Sequence, residues 1–222
     1  MAPSTIPGTT QEHAVAWLRR AIVTGALRPG QRVNQEDVAA EIGVSVAPVR
    51  EALRVLEQEG QVTYLPRRGY FVTELRVADL EEIYALRGLI EERAARHALP
   101  GLGDEDLRQI RTAADDCVAA AAAGDVAAEL EANRRFHFAL LAAPDQPHTL
   151  RVLALLWDRT EAYRALYYND PAERDRSAVA HERIVTAIEA RDADRLVAEL
   201  HEHRDRALEV LRGILGDAPA DG

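Results

Sequence analysis

Three histidines and one asparagine in the C-terminal half of the chain have the residue types and spacing of a metal site. Asn133 and His137 are four residues apart, so a helix places them one turn apart on the same face. His181 and His203 each fall on an apolar stripe, and Asp192 marks a turn halfway between them. An antiparallel pair of helices would bring these two rings to the same level. Three imidazoles and an amide oxygen suit a borderline divalent metal such as Zn²⁺ or Ni²⁺.

The same four residues have two other interpretations. Each histidine, taken alone, is more often a hydrogen-bonded core residue than a ligand. A metal-dependent hydrolase is a remote alternative, because three histidines with open positions can activate water. No carboxylate is placed as a general base, and the chain has neither a glycine-rich phosphate loop nor a nucleophile beside a base. We therefore predict no catalytic residues and no enzyme. The remaining histidines, which lack comparable partners, are His13, His97, His148 and His201.

Arg87 is a candidate contact for a small-molecule effector. It falls on the inner side of a predicted helix, where a guanidinium could grip an effector carboxylate with two parallel hydrogen bonds. It could equally pair with Glu91, one turn later on the same face. The sequence leaves both interpretations open.

A second group of residues, in the N-terminal third, has the types that contact DNA. A helix predicted from Val46 to Gly60 points its apolar residues inward and leaves polar and small residues on its outer and N-terminal sides, where they could enter a major groove. Arg67 and Arg68 lie at the tip of a predicted hairpin, positioned for phosphate or the minor groove. The candidate DNA-binding residues are Ser45, Ala47, Arg50, Arg54, Arg67, Arg68 and Gly69.

The elements that must position these residues follow a recognisable order. A first helix begins near Glu12 and ends at Gly25, and a short second helix is capped by Asn34 and ended by Gly43. The next helix, capped by Ser45, completes a helix-turn-helix. Two β-prone runs on either side of residues 66–69 add a hairpin, the wing. The alternative is a small structural domain whose paired arginines are an ordinary solvated turn.

The rest of the chain is predicted to be an antiparallel helical bundle. Proline, glycine and asparagine breakers divide it at short intervals into six helices, or seven if one boundary is missed. The fold class is therefore mainly α, an N-terminal winged helix-turn-helix plus a C-terminal antiparallel all-α bundle. We predict a DNA-binding domain over 1–74, a linker over 75–78, an effector-binding and dimerisation domain over 79–215 and a disordered tail over 216–222. The predicted helices span roughly 79–99, 104–123, 126–143, 147–168, 172–190 and 193–214.

Charge is divided unevenly between the two parts. The net charge is −10, but residues 1–76 hold nine arginines against eight acidic residues, and the remainder holds 18 against 29. The first part can therefore face phosphate without strong repulsion, while the second has no reason to touch DNA. A single cysteine, Cys117, excludes an intrachain disulfide, and no signal peptide or membrane-length apolar run is found. These features indicate a cytoplasmic protein that does not enter a membrane.

The N-terminal part closely resembles the GntR family of transcription regulators. In that family the helix that begins here at Ser45 is the recognition helix, which implies DNA contacts from Ser45, Arg50, Arg54 and the wing around Gly69. This chain has Val46-Ala47 where Arg-Thr is frequent, so direct base reading there can differ. The resemblance is carried by Ala26-Leu27-Arg28-Pro29-Gly30, Asp37-Val38-Ala39, Ile42-Gly43-Val44-Ser45, Pro48-Val49-Arg50-Glu51-Ala52-Leu53, Leu56-Glu57, Gly60 and Arg68-Gly69.

The C-terminal part resembles the FCD ligand-binding domain of the FadR-like branch, with a helix count similar to the VanR-type subgroup. The resemblance implies a metal held by Asn133, His137, His181 and His203 that helps to bind a carboxylate effector. Asparagine replaces the more usual aspartate here, which removes one negative charge and implies weaker metal binding. The residues that carry the resemblance are Leu86-Arg87, Glu91, Phe136-His137, His181-Glu182-Arg183-Ile184 and His203.

Together these features predict a repressor that works as a homodimer. It would bind double-stranded operator DNA with an inverted repeat, and a small organic acid at the metal would change its affinity for that DNA. The alternative is a DNA-binding dimer with no metal-dependent effector response.

Overall fold

The chain folds into two compact units, 1–74 and 75–222. The structure is a computed structural model, and it describes residues 9–74, 76–142 and 145–216. The predicted disordered tail lies outside these residues except for Gly216, which belongs to the last helix. None of the helices in the described ranges is long and apolar enough to cross a membrane.

The N-terminal unit contains three helices and a small sheet. A capping box starts the first helix, because the Thr9 hydroxyl accepts from the backbone N–H of Glu12 and the Glu12 carboxylate accepts from that of Thr9. Asn34 caps the second helix, and Gly43 ends it in the left-handed conformation at φ 70°. The elements are α1 (Thr10–Val23), β1 (Arg32–Val33), α2 (Gln35–Ile42), α3 (Val46–Gln58), β2 (Val62–Leu65) and β3 (Gly69–Val72).

Helix α3 lies with its apolar side in the core of this unit. Val49, Leu53 and Leu56 are fully buried, as the sequence predicted. Ser45 occupies the N-cap position, but its hydroxyl makes no capping hydrogen bond, so that part of the prediction is wrong. The hydroxyl therefore stays exposed at the start of the helix.

The sheet has the order β1-β3-β2, and both pairings are antiparallel. Strands β2 and β3 form the predicted hairpin, with Tyr64 opposite Tyr70. Strand β1 was not predicted, because two residues are too few to show an alternating pattern. It pairs Arg32 with Phe71 and so brings a further arginine to the wing.

The C-terminal unit is the predicted helical bundle, with six α-helices in its described residues. The first helix begins at Val77, inside the segment predicted as a linker, because Asp79 accepts from the backbone N–H of Arg76 and starts the helix early. One turn of 3₁₀ helix, Leu99–Gly101, follows it. The helices are α4 (Val77–Ala98), α5 (Asp104–Ala123), α6 (Val126–Leu141), α7 (Pro147–Tyr168), α8 (Pro171–Glu189) and α9 (Ala193–Gly216).

Large side chains from several helices fill the centre of the bundle. Helix α4 packs on α7 and α9, and α5 packs on α6 and α8. Phe136, Trp157 and Ile184 are almost completely buried in one continuous apolar core. This core lies around the polar residues that the sequence singled out, of which Asn133, His137 and His181 are almost completely buried and His203 is partly exposed.

Glu129 is a buried acid at the start of α6, at the other end of the same bundle helix that carries His137. Its exposed fraction is 2%, and its Oε2 has no hydrogen-bond partner. Arg174 Nε lies 3.6 Å away but donates to the backbone carbonyl of Tyr168. Burial raises the pKa of Glu129 from 4.5 to about 7, and Arg174 only partly opposes that shift. Between about pH 4.5 and 7, the Glu129 carboxyl therefore holds a proton in the folded chain that it would release in the unfolded chain.

We expect Glu129→Gln to stabilise the protein at pH 8 and to change little at pH 5. The folded pKa lies above the unfolded one, so stability from the protonated carboxyl is present below pH 4.5 and lost as the pH rises towards 7. Glutamine keeps the shape of the protonated acid. The free energy of unfolding, measured with urea, should rise by about 1–3 kcal/mol in the variant at pH 8. Glu131→Gln, at an exposed position of the same helix, is the control. A difference between wild type and Glu129→Gln that does not change with pH would contradict the expectation.

Candidate nucleic-acid interface and metal centre

The outer side of α3 carries the residues predicted to enter a groove of DNA. Ser45, Ala47, Arg50 and Arg54 are all exposed, on the side of the helix opposite its buried apolar residues. Arg54 donates to Glu51 at 2.9 Å, and both side chains remain more than half exposed. Such a surface pair contributes little to stability, so Arg54 can exchange Glu51 for a phosphate at small cost.

The tip of the wing holds two arginines in different ways. Arg67 has a left-handed backbone at φ 65°, a conformation that costs a residue other than glycine about 1 kcal/mol. Arg68 lies over the ring of Phe71, with its guanidinium carbon 5.2 Å from the ring centroid. Arg32 on β1 lies beside Gly69, since a side chain added there would meet its guanidinium at 3.7 Å. The wing therefore presents three cations, of which the sequence predicted two.

Three imidazole rings meet inside the bundle. The ring centroids are 5.5 Å apart for His137 and His181, 5.3 Å for His137 and His203, and 4.9 Å for His181 and His203. One ring nitrogen from each lies within 4.8 Å of the others. Both nitrogens of His137 and of His181 are buried without a hydrogen-bond partner. The three rings come together as their spacing predicted.

Asn133 is buried beside these residues on α6. Its exposed fraction is zero, and neither its amide oxygen nor its amide nitrogen has a hydrogen-bond partner. Buried polar atoms of this kind cost about 1–3 kcal/mol each unless a ligand or water satisfies them. The cluster is thus unsatisfied as it stands.

Burial keeps the three rings neutral. It lowers the pKa of His137 and of His203 well below the ordinary value, and it lowers that of His181 to about 3. The guanidinium of Arg164 adds to all three shifts. At neutral pH the rings therefore have the form that binds a metal, a neutral imidazole with a free lone pair.

Comparison with known proteins decides what kind of protein carries these two sites. Residues 82–206 match the family model of the FCD domain, and residues 10–72 match that of the bacterial regulatory proteins of the gntR family. BphR, an HTH-type transcriptional regulator of Paraburkholderia xenovorans, is 30% identical over 203 residues, which cover 88% of this chain and 82% of the relative.

The chain belongs to the GntR family.

Other relatives of this GntR-family regulator agree. The Nta operon transcriptional regulator of Aminobacter aminovorans is 29% identical over 192 residues, 84% of this chain and 89% of that protein. The fold is that of McbR from Escherichia coli, with a TM-score of 0.81 and 24% identity over 93% of this chain and 99% of the other. The protein is a DNA-binding transcription regulator with an FCD domain, and the relatives are regulators rather than enzymes.

Arg87 in this regulator pairs with Glu91, which is one of the two interpretations that the sequence left open. Its Nε and Nη2 donate to Glu91 Oε1 at 3.1 and 3.0 Å, and Trp157 Nε1 donates to the same oxygen at 2.9 Å. The third nitrogen, Nη1, is buried without a hydrogen-bond partner. One donor therefore stays available even with Glu91 bound.

Sequence reasoning missed two further cations close to the histidines. Arg204 has an exposed fraction of only 9%. Gly88 on α4 makes this possible, because a side chain there would lie 2.9 Å from the Arg204 guanidinium. Arg164 is buried with its guanidinium carbon 4.0 Å from the Trp157 ring centroid. Gly88, which lies against Arg204, is the one residue in the sequence that could have indicated the burial of this arginine.

Proposed function

We propose that the bundle binds a divalent metal through Asn133, His137, His181 and His203, and that an organic acid bound there changes the affinity for operator DNA. The observation that carries the proposal is the convergence of three neutral imidazoles, two of them buried and that of His203 partly exposed, with one nitrogen from each within 4.8 Å of the others. Zn²⁺ and Ni²⁺ suit such a set of ligands. The metal would polarise the effector's carboxylate and help to orient it.

The chemistry of these residues fits a metal better than mutual packing. Two nitrogens bound to one tetrahedral ion at about 2.1 Å are about 3.4 Å apart, so nitrogens that now lie up to 4.8 Å apart need to move closer by up to about 1.4 Å. Packing alone leaves the polar atoms of Asn133, His137 and His181 unsatisfied. A bound ion would satisfy one atom on each of them.

The effector is proposed to be a small carboxylic acid that reaches Arg87. The free Nη1 of Arg87 can donate to a carboxylate while Nε and Nη2 keep Glu91. Guanidinium groups bind carboxylates strongly in sites from which water is excluded. Release of DNA on effector binding would make the protein a repressor.

For the N-terminal unit we propose that α3 enters the major groove of the operator. Ser45, Ala47 and Arg50 would lie nearest the bases, and Arg54 would reach base or phosphate. Arg67, Arg68 and Gly69 of the wing would contact phosphate or the minor groove. Their exposure on one helix side and at one hairpin tip supports this assignment.

We propose that the regulator forms a two-fold dimer through an exposed apolar surface on α4 and α7, the α4–α7 face. It consists of Leu86 (43% exposed), Leu89 (70%), Val152 (47%) and Leu155 (41%). Clusters of exposed large apolar side chains usually mark interfaces. An inverted-repeat operator requires the same two-fold symmetry.

The sequence of α4 is self-complementary in the antiparallel direction. If two copies of α4 cross between residues 87 and 88, Leu86 faces the partner's Leu89, and Glu82 faces the partner's Arg93. Glu82 and Arg93 are both exposed and have no ion-pair partner in the part of the chain that the structure describes. The apolar centre and its charged ends therefore favour a second copy of this chain as the partner.

The protein purified without chelators should contain about one divalent metal per chain, measured by plasma mass spectrometry. His137→Ala should remove most of it, since one of three imidazoles is lost. Asn133→Asp should hold the metal more tightly, about tenfold or more, because it adds a negative charge to the ligand set. His97→Ala, which changes an exposed histidine outside the cluster, is the matched control. Metal content that is the same in wild type, His137→Ala and the control would refute the metal site.

Arg67→Gly should weaken DNA binding without destabilising the protein. Glycine adopts the left-handed backbone of position 67 freely, so the free energy of unfolding should stay the same or rise by up to about 1 kcal/mol. One lost phosphate contact should reduce the slope of log affinity against log salt by about 0.9, for any DNA sequence. Arg67→Lys keeps the charge and should retain the slope. Equal salt dependence of DNA binding in wild type and Arg67→Gly would exclude the wing contact.

Leu89→Glu should convert the dimer to a monomer in analytical ultracentrifugation, because it places two carboxylates in the apolar centre of the interface. Val118→Glu alters another half-exposed apolar residue, outside the α4–α7 face, and should stay dimeric. Glu82→Arg and Arg93→Glu should each weaken the dimer, and together restore it, if α4 pairs antiparallel. A dimer that survives Leu89→Glu is incompatible with this interface.

A further inference from the structure

A group of four charged side chains, the arginine cluster, is buried beside the three histidines. It consists of Arg87, Glu91, Arg164 and Arg204, with exposed fractions of 4%, 2%, 7% and 9%. Arg87 and Arg164 both lie over the ring of Trp157, at 4.3 and 4.0 Å from its centroid. Together with His137 and His203 they border one small cavity.

The arginine cluster has more positive than negative charge. Three guanidiniums face one carboxylate, so the buried groups carry an excess of two positive charges. Two acids approach from the outside: Asp205, whose side chain is 71% exposed, lies 3.4 Å from Arg204, and the partly exposed Glu161 acts on Arg164. Solvent screens these outer acids, so they balance the buried excess only in part.

We propose that the effector carries at least two negative charges, as a dicarboxylate or tricarboxylate does, and that Arg164 and Arg204 bind it together with Arg87. Buried charges are normally paired, and the excess of two is what a dianion would neutralise. This proposal depends on the effector site proposed above but does not need the metal. A metal would add to the excess and strengthen the same preference.

Arg204 is held less firmly than Arg87, so it moves more easily to admit such a ligand. Its Nη1 lies 3.6 Å from Glu91 Oε2, too far for a hydrogen bond, and has no hydrogen-bond partner. Arg87, by contrast, makes two bonds to Glu91. The small cavity has a volume of only about 20 Å³, room for one water-sized group, so a ligand requires a side chain to move.

The proposed entry to the arginine cluster lies along the seam between α8 and α9. An open groove of about 1020 Å³ lies there and shares His203 with the small cavity. Gly88 leaves the space against α4 in which the Arg204 guanidinium now rests. A dianion that enters past His203 would draw Arg204 from this position and take the place of its weak contact with Glu91.

The test compares acids of similar size and different charge on the full-length protein. Succinate, glutarate, citrate and sulfate are the multivalent probes, butyrate and chloride the monovalent ones, at matched ionic strength. Melting temperature and calorimetric titration are measured with the metal-loaded protein and again after treatment with EDTA. We expect at least one multivalent anion to raise the melting temperature and to bind at least tenfold more tightly than butyrate.

Substitutions show whether the arginine cluster is responsible. Arg204→Gln and Arg164→Gln should each weaken binding of the multivalent anion about tenfold or more, because a charge-assisted contact is lost. Both should leave the metal content unchanged, and since each removes unbalanced charge, both should fold as well as wild type without anions. Arg204→Lys keeps the charge and should bind more tightly than Arg204→Gln. Arg108→Gln, which changes an exposed arginine of α5, is the control.

Three results would overturn the proposal. The first is a shift in melting temperature with butyrate that is as large as that with every multivalent anion. The second is anion affinity that is unchanged in both glutamine variants. The third is a shift in melting temperature with multivalent anions that is no larger for the wild type than for those variants. Anion binding that depends on the arginines and persists in protein that takes up no metal would uphold the proposal while refuting the metal site. Normal metal uptake together with equal binding of monovalent and multivalent anions would refute this proposal and leave the metal site standing.

Discussion

The bundle depends on the cost of removing polar nitrogens from water. His137 and His181 lie in the same core as Phe136 and Trp157, and both ring nitrogens of each lack hydrogen-bond partners. At about 1–3 kcal/mol for each unsatisfied group, a cluster of this kind costs an amount comparable to the 5–15 kcal/mol that stabilises a typical domain. The aromatic packing around the rings must offset that cost. Whatever satisfies the nitrogens therefore acts directly on the stability of the bundle, which is the property that a sensor needs.

Much of this architecture could be predicted because it depends on periodic patterns. The apolar spacing that buries Val49 and Leu53, and the breakers between bundle helices, are local signals, so the elements were placed to within a few residues. The spacing of His181 and His203 predicted their contact, because residues equally distant from the turn lie side by side on two antiparallel helices. What remained unpredictable depends on contacts between elements that are distant in sequence. Arg204 is an example, since its burial requires the empty position at Gly88, more than a hundred residues earlier.

The division of charge has a physical consequence for each unit. The N-terminal unit is nearly neutral overall, so its affinity for DNA comes from where its arginines lie rather than from how many there are. The acidic C-terminal unit repels phosphate and keeps nucleic acid away from its own arginines, several of which are buried or paired with acids. A polyanion therefore reaches Arg164 and Arg204 only if it is small enough to enter the bundle. Burial, rather than the overall charge, would therefore restrict Arg164 and Arg204 to small acids if the proposed effector site is correct.

Helix α4 would link the proposed effector site to the proposed dimer interface, because it presents a different surface on each side. Its inner side carries Arg87 and Glu91 against the histidines, while its outer side carries Leu86 and Leu89. A helix in a close-packed core moves as a unit, and interfaces respond to shifts of 1–2 Å. A ligand that changed the balance between Arg87, Glu91 and Arg204 would therefore shift α4 as a whole, and its outer side with it. The effector would then act on the geometry of the dimer, and a dimer with altered geometry no longer matches two half-sites at a fixed spacing.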